Sequence, residues 1–268
     1  MASGVRAEAQ DVSITISGDA KLGNVFGGGW AQKGGTSVVD DVEINIEGGT
    51  VANVFGGGTH SVTAPGGSTV VDDVKITVSG GDITGAIYVG GQSVNDSVTG
   101  DEISVTFTGD TDFGCGVYGY SYAGGTVGDA TLSFTDYSGD FSGAIGGFVG
   151  ITFAKDTEME LATAADDVSN DAWTFDVAER DAEMADTALL KWTAADFTGD
   201  TITLNLGTGE ATAWTLIDAA STTAYGTFDV DGVATELVLD QKIENTGTAY
   251  DGWGFTLEDS ALKFKQLA

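Results

Sequence analysis

The chain has 268 residues, enough for one large or two modest domains, with 41% hydrophobic residues, 41 glycines and one proline. That pairing excludes disordered low-complexity chains and collagen, which carry glycine together with abundant proline, and points to tight turns between ladder-forming strands. The formal net charge of −31, from 10 Lys+Arg against 41 Asp+Glu, repels nucleic acid and anionic membrane surfaces and removes both as partners.

The opening ten residues, Met1 to Gln10, lack the apolar core of a signal peptide and read as a start or N-terminal cap joined to a segment of a longer protein. From there an internal repeat governs the reading. Asp11-Val-Ser-Ile-Thr-Ile-Ser-Gly18 recurs as Asp41-Val-Glu-Ile-Asn-Ile-Glu-Gly48, Asp73-Val-Lys-Ile-Thr-Val-Ser-Gly80 and Glu102-Ile-Ser-Val-Thr-Phe-Thr-Gly109, with a worn fifth copy at 130–136. The copies start at 11, 41, 73, 102 and 130, a period of about 30 residues. Apolar and polar residues alternate in each, the period-2 mark of a strand with one buried face, so Val12, Ile14 and Ile16 and their counterparts point inward.

Each unit carries a second strand-like element at matching distance, beginning Asn24-Val-Phe, Asn53-Val-Phe, Ala86-Ile-Tyr, Gly116-Val-Tyr and Ala144-Ile-Gly. A shorter third element follows in Thr36-Ser-Val-Val39, Ser68-Thr-Val-Val71, Asp96-Ser-Val98 and Gly125-Thr-Val127. Three short strands and three turns make one triangular coil, and no such coil buries its valines and isoleucines alone. The expectation is an all-β fold: a right-handed parallel β-helix, or β-solenoid, of about five three-strand coils over residues 11–156. A β-propeller is disfavoured, because its blades need four strands and units of roughly 40 residues.

Residues 157–268 lose the repeat and hold four of the five tryptophans, Trp173, Trp192, Trp214 and Trp253, among further strand-like runs. Bare solenoid ends are exposed sheet edges, so this segment is read as a C-terminal β-rich cap, built either as wider coils or as a small β-sandwich. The glycine-punctuated ladders, followed by Trp214-Thr-Leu-Ile, Gly226-Thr-Phe-Asp-Val-Asp-Gly and Trp253-Gly-Phe-Thr-Leu, resemble bacterial autotransporter and adhesin-type passenger segments. The resemblance is one of pattern over most of the chain. It implies a β-solenoid stalk ending in a folding cap, placed outside the cell or at the bacterial surface, with a structural or adhesive role.

Chemistry is sparse along the repeat. The lone Cys115 reads as a small buried apolar residue, and the lone His60, near the lone Pro65, as a solvated turn residue. No run of 18 apolar residues exists, so no membrane insertion is expected. Gly27-Gly-Gly29 and Gly56-Gly-Gly58 are followed by neither a phosphate-binding Lys-Ser/Thr nor a helix, and their coil spacing makes them structural. A polysaccharide-active β-helix enzyme is the alternative reading. Against it, the acidic residues Asp40, Asp41, Asp72, Asp73, Asp101 and Glu102 follow the repeat, whereas an active site breaks one. Stacked coils would bring these carboxylates together, which makes calcium, an oxygen-seeking cation, the candidate cofactor there beside the alternative of solvated turns.

The most suggestive feature is aromatic. Phe26, Phe55, Tyr88 and Tyr118 occupy one position in four successive coils, each directly after an inward Val or Ile. Strict alternation turns them outward into a stripe suited to a glycan or a surface protein; glycines that break the alternation would instead pack them inside. Further copies of the chain are the other candidate partner, through head-to-tail stacking of coil ends.

Overall fold

The protein is described from a computed structural model covering residues 6–32, 34–60, 66–163, 168–169, 172–192, 197–206, 213–218, 225–230, 233–236, 239–242 and 252–268. Pro65 lies outside the described residues, as do Asp231 and Gly232 of the 226–232 run. Among the described residues there is no α-helix, only strands, turns and a 3-10 turn at Ala182–Met184. The strands pair in parallel as the stacked coils of a β-solenoid of about seven turns, two more than the repeat alone indicated. The chain divides into two compact units, one formed by Met1–Leu132 with Gly143–Val149, the other by Ser133–Ser142 with Gly150–Ala268.

In the first unit the repeat is the fold. Arg6–Ile16 pairs with Thr36–Phe55, which pairs with Ser68–Ile83, which pairs with Ile103–Gly109, all parallel, with a register shift only after Ile46. Three apolar files result: Val12–Val42–Val74–Ile103, Ile14–Ile44–Ile76–Val105 and Ile16–Ile46–Val78–Phe107. From Val42 onward every member is at most 2% exposed, whereas Val12 and Ile14 are only half-buried, because Arg6–Ile16 pairs on one side alone among the described residues. Parallel strands placed about 4.8 Å apart thus bury a core that no coil could bury singly.

The sequence elements run together at their corners. Thr36–Phe55 is one continuous strand spanning the third element of one coil and the first and second of the next. The corner after each first element needs a left-handed backbone, supplied by Gly18, Gly49, Gly81 and Gly109 with φ between 63° and 88°. A second ladder carries Val25–Val54–Ile87–Val117–Ile145, each buried. Beyond it the triple glycines permit close approach, since a Cβ on Gly27 would collide with the Val42 side chain and one on Gly56 with that of Val74.

The second unit keeps the parallel scheme while its sequence stops repeating. Gly150–Ala154, Ala172–Asp176, Phe197–Asn205 and Tyr225–Val230 stack in parallel, with Ile151–Trp173–Ile202 and Phe153–Phe175–Leu204 as buried files. Aromatic residues replace valine here. Phe134, Phe153 and Phe175 stack at 5.7 and 5.3 Å between centroids, and Trp173, Trp192 and Trp214 are each 1% exposed. Indole N–H groups find acceptors, Trp173 Nε1 at Asp200 Oδ2 (2.7 Å) and Trp192 Nε1 at the Thr163 carbonyl (2.9 Å), which makes such burial tolerable. A second parallel ladder runs through Asp140–Phe141, Met159–Leu161, Leu190–Lys191 and Ala213–Asp218.

Both ladders of this unit end in antiparallel pairing. Tyr225–Val230 turns back into Val233–Glu236, while Ala213–Asp218 pairs antiparallel with Ala261–Gln266, which pairs with Trp253–Glu258 through a two-residue turn. Both turn residues, Asp259 and Ser260, have positive φ (50° and 68°), the geometry that matches the twist of a tight hairpin. The described strands of this unit are therefore parallel coils ending in antiparallel pairs.

Arg180 locks the irregular loop of this unit. It is 6% exposed and donates from Nη1 to the Lys155 and Thr157 carbonyls (both 2.8 Å) and from Nη2 to those of Met184 and Thr187 (3.2 and 3.0 Å). Replacing it by alanine removes a charged donor from four carbonyls, so Arg180→Ala is expected to lower the unfolding free energy by about 3 kcal/mol. Urea denaturation followed by tryptophan fluorescence checks this, and an unchanged midpoint would remove Arg180 from the structural account.

Candidate functional site: an aromatic face on the first unit

The four aromatic residues of the stripe sit in register, Phe26 over Phe55 over Tyr88 over Tyr118, directly after the buried file Val25–Val54–Ile87–Val117. Alternation holds, and the rings lie on the opposite side of the strand from that file. Successive rings stack face to face, with centroids 4.9, 5.4 and 5.1 Å apart and interplanar angles of 8°, 9° and 24°. This spacing is the strand spacing, so each ring's faces are occupied by its neighbours and mainly edges are left for a partner. The stripe ends where Gly146 takes the next place in register.

Two further tyrosines, which the sequence reading missed, cover this stack. Tyr122 stands edge-on to Phe55 and Tyr88, at 87° and 84° with centroids 6.4 and 5.3 Å away. Tyr120 packs on Tyr118 at 5.1 Å, in space left by Gly147, whose Cβ would strike its ring. Phe55 is in consequence 2% exposed, while Tyr122 is 62% and Tyr120 44% exposed. Burial first, and then the neighbouring tyrosines, push the Tyr88 hydroxyl above its ordinary range; burial and then Tyr118 do the same to Tyr120. Trp30, at 62% exposure, adds another open ring one short strand away. The signal in the sequence was Tyr118-Gly-Tyr-Ser-Tyr122, a local doubling of the aromatic beat.

The acidic residues line up as two adjacent files on another corner. Asp11, Asp41 and Asp73 are register partners, with Glu102 next, its backbone N–H donating to Asp73 Oδ1 at 2.9 Å. Asp40, Asp72 and Asp101 each precede a member of that file in the chain. Lost hydration first, and then the neighbouring Asp11 and Asp73, raise the Asp41 carboxyl above its ordinary value. Among the described residues no three His, Cys, Asp or Glu side chains converge so as to hold a metal ion.

A polar cluster lies between the third elements. The Asp96 carboxylate is 2% exposed and accepts from the Thr69 hydroxyl and the Ser93 backbone N–H, both at 2.7 Å. His60 is half-buried in the short strand Thr59–His60, not in a solvated turn; its backbone N–H donates to Ser93 Oγ at 3.3 Å, and its Nδ1 is buried without a partner. The Cys115 thiol is 3% exposed and burial pushes its pKa up to about 12, which bears out an inert apolar role.

The second unit holds a groove of about 620 Å³ that the repeat gave no reason to expect. Asp140, Glu160, Lys191 and Asp218 form one register file along it, joined by Glu158 and Asp186. Lys191 Nζ pairs with Glu160 Oε2 at 2.6 Å, and that hydrogen bond raises the lysine above its ordinary range.

No family model, curated protein or solved structure matches this chain.

Burial raises the Asp96 carboxyl above its ordinary 3.8, against hydrogen bonds from Thr69 and Ser93 that lower it. The folded state thus binds this proton more tightly than the unfolded chain. Its stabilising effect is complete below the ordinary value and is lost as pH rises through the folded-state value. The stability difference between wild type and Asp96→Asn should therefore narrow from about pH 3 to about pH 7 in urea titrations, whereas a gap that widens would reverse the assignment. Cys115 should resist aromatic disulfide reagents until the chain unfolds; stoichiometric labelling of the native protein would contradict its burial.

Proposed function

We propose that this chain is an extracellular structural and adhesive β-solenoid, carried at a bacterial surface in the manner of autotransporter passenger segments. It presents a repetitive face to a glycan, a surface protein or further copies of itself. The observation that carries this reading is the aromatic face, where a stack of four rings holds Tyr120 and Tyr122 open to solvent, with Trp30 a further open ring on the same unit. Isolated exposed apolar residues are ordinary, but a rigidly backed cluster of open rings marks an interaction surface. The charge of −31 supports placement away from nucleic acid and keeps such a surface soluble.

A second reading, a polysaccharide-active enzyme, draws on the groove of the second unit. Asp140 and Glu160 lie on adjacent rungs, about 5 Å apart along the backbone, comparable to the carboxylate separation of retaining glycosidases. It predicts new reducing ends on incubation with polysaccharide, abolished in Glu160→Gln.

The adhesive reading predicts binding to immobilised glycans or surface proteins, or concentration-dependent oligomers in light scattering. The double variant Tyr120→Ser, Tyr122→Ser should weaken that association at least about tenfold while keeping the far-UV spectrum. A clean monomer at high concentration that binds neither kind of surface would refute the reading.

A further inference from the structure

We infer that the occupant of the aromatic face is a neutral polysaccharide chain lying along the stacking direction of the coils, held by the file Trp30, Thr59, Gln92 and Tyr122. The inference rests on the adhesive reading and names its ligand class.

The file is fixed by backbone pairing. Trp30 and Thr59 are register partners, and the Thr59, Gln92 and Tyr122 N–H groups donate to the Gly29, Gly58 and Gly91 carbonyls at 3.1, 2.9 and 3.1 Å. Four successive coils therefore present aromatic, polar, polar and aromatic side chains in one line. The aromatic ends stand three rungs, about 14 Å, apart.

The geometry selects a linear ligand. The stacked rings of Phe55 and Tyr88 lie across the stacking direction, so Tyr122, at 87° and 84° to them, has its plane running along it. Its 62% exposed ring offers a flat platform parallel to the file, backed by the ring edges beneath. Trp30, equally exposed, is the second platform. Between them the Thr59 hydroxyl donates to the Gln92 side-chain carbonyl at 3.1 Å, which anchors the Gln92 amide in the file. Sugar rings carry C–H faces that pack on aromatic platforms and hydroxyls that pair with hydroxyl and amide groups. A polymer of repeating sugars also matches a surface that repeats at every rung, which the surface of a globular protein does not.

Charge selects among polysaccharides. Trp30, Thr59, Gln92, Tyr120 and Tyr122 are all uncharged, so these side chains offer no cation to a uronate or sulfate, and the net −31 repels acidic chains. A cationic chain would be drawn instead to the Asp11–Asp41–Asp73 file.

The test is affinity gel electrophoresis of the whole chain through embedded neutral polysaccharides (a β-1,4-glucan, a xylan, a mannan) and acidic ones (alginate, polygalacturonate). Retardation in a neutral gel is expected, and none in the acidic gels. Trp30→Ala and Tyr122→Ala should each weaken it about tenfold, Gln92→Ala less, and Val149→Ala, an exposed apolar control, not at all. Trp30 makes none of the ring contacts given for this face, so Trp30→Ala tests the file without disturbing the stack. The inference is overturned by unretarded migration in every neutral gel, by retardation in acidic gels alone, or by retardation that Trp30→Ala and Tyr122→Ala leave unchanged. If no gel retards the chain yet it binds a surface protein or oligomerises, this inference falls and the adhesive reading stands.

Discussion

In-register parallel pairing places each residue of one coil over its counterpart in the next, about 4.8 Å away, and the rest of the structure follows from what that spacing does to each residue type. Valine over isoleucine over valine makes a dry file with no gap, so the repeat needs only conservative apolar choices to build a core. Aromatic over aromatic makes a stack, since the spacing lies within the range that offset rings prefer. Carboxylate over carboxylate makes a repulsive file, which adds to lost hydration in raising Asp41.

The same rule separates the rings that stabilise from the rings that can bind. Phe26, Phe55, Tyr88 and Tyr118 spend their faces on one another and behave as a spine. Tyr120 and Tyr122 sit beyond the strand Gly116–Tyr118 and stand against that spine with their rings open. An adhesive surface of this kind needs both parts. Open rings alone would be mobile and costly to order on binding, whereas a packed spine alone offers little area.

The second unit shows the pairing rule outliving the repeat. Tryptophan and phenylalanine enlarge its interior, indole N–H groups take fixed acceptors, and Arg180 gathers four carbonyls that strand pairing does not use. The ladders stop where the chain reverses on itself. Antiparallel hairpins at Tyr225–Glu236 and Trp253–Gln266 present a different hydrogen-bond pattern from the parallel rungs before them, which blunts the end as a template for further coils. Among the described residues Arg6–Ile16 pairs on one side alone, with Val12 and Ile14 half-buried.

The sequence by itself determined the local alternation, the coil length and the identity of the inward files, because a period-2 pattern repeated at about 30 residues leaves one way to bury Val42, Ile44 and Ile46. It also disclosed the aromatic stripe and the acidic corners, which are readable as columns once the repeat is aligned. Only the tertiary structure decided that the stripe would be a self-satisfied stack, that Tyr122 would seal Phe55, and that His60 would leave its turn for a strand. It alone disclosed that the described strands between 157 and 230 go on stacking in parallel without a repeat, and that Asp140, Glu160, Lys191 and Asp218, scattered in the chain, share one groove. Repetition encodes contacts between equivalent positions, whereas contacts between non-equivalent positions depend on where loops fold back, and no periodicity in the sequence records that.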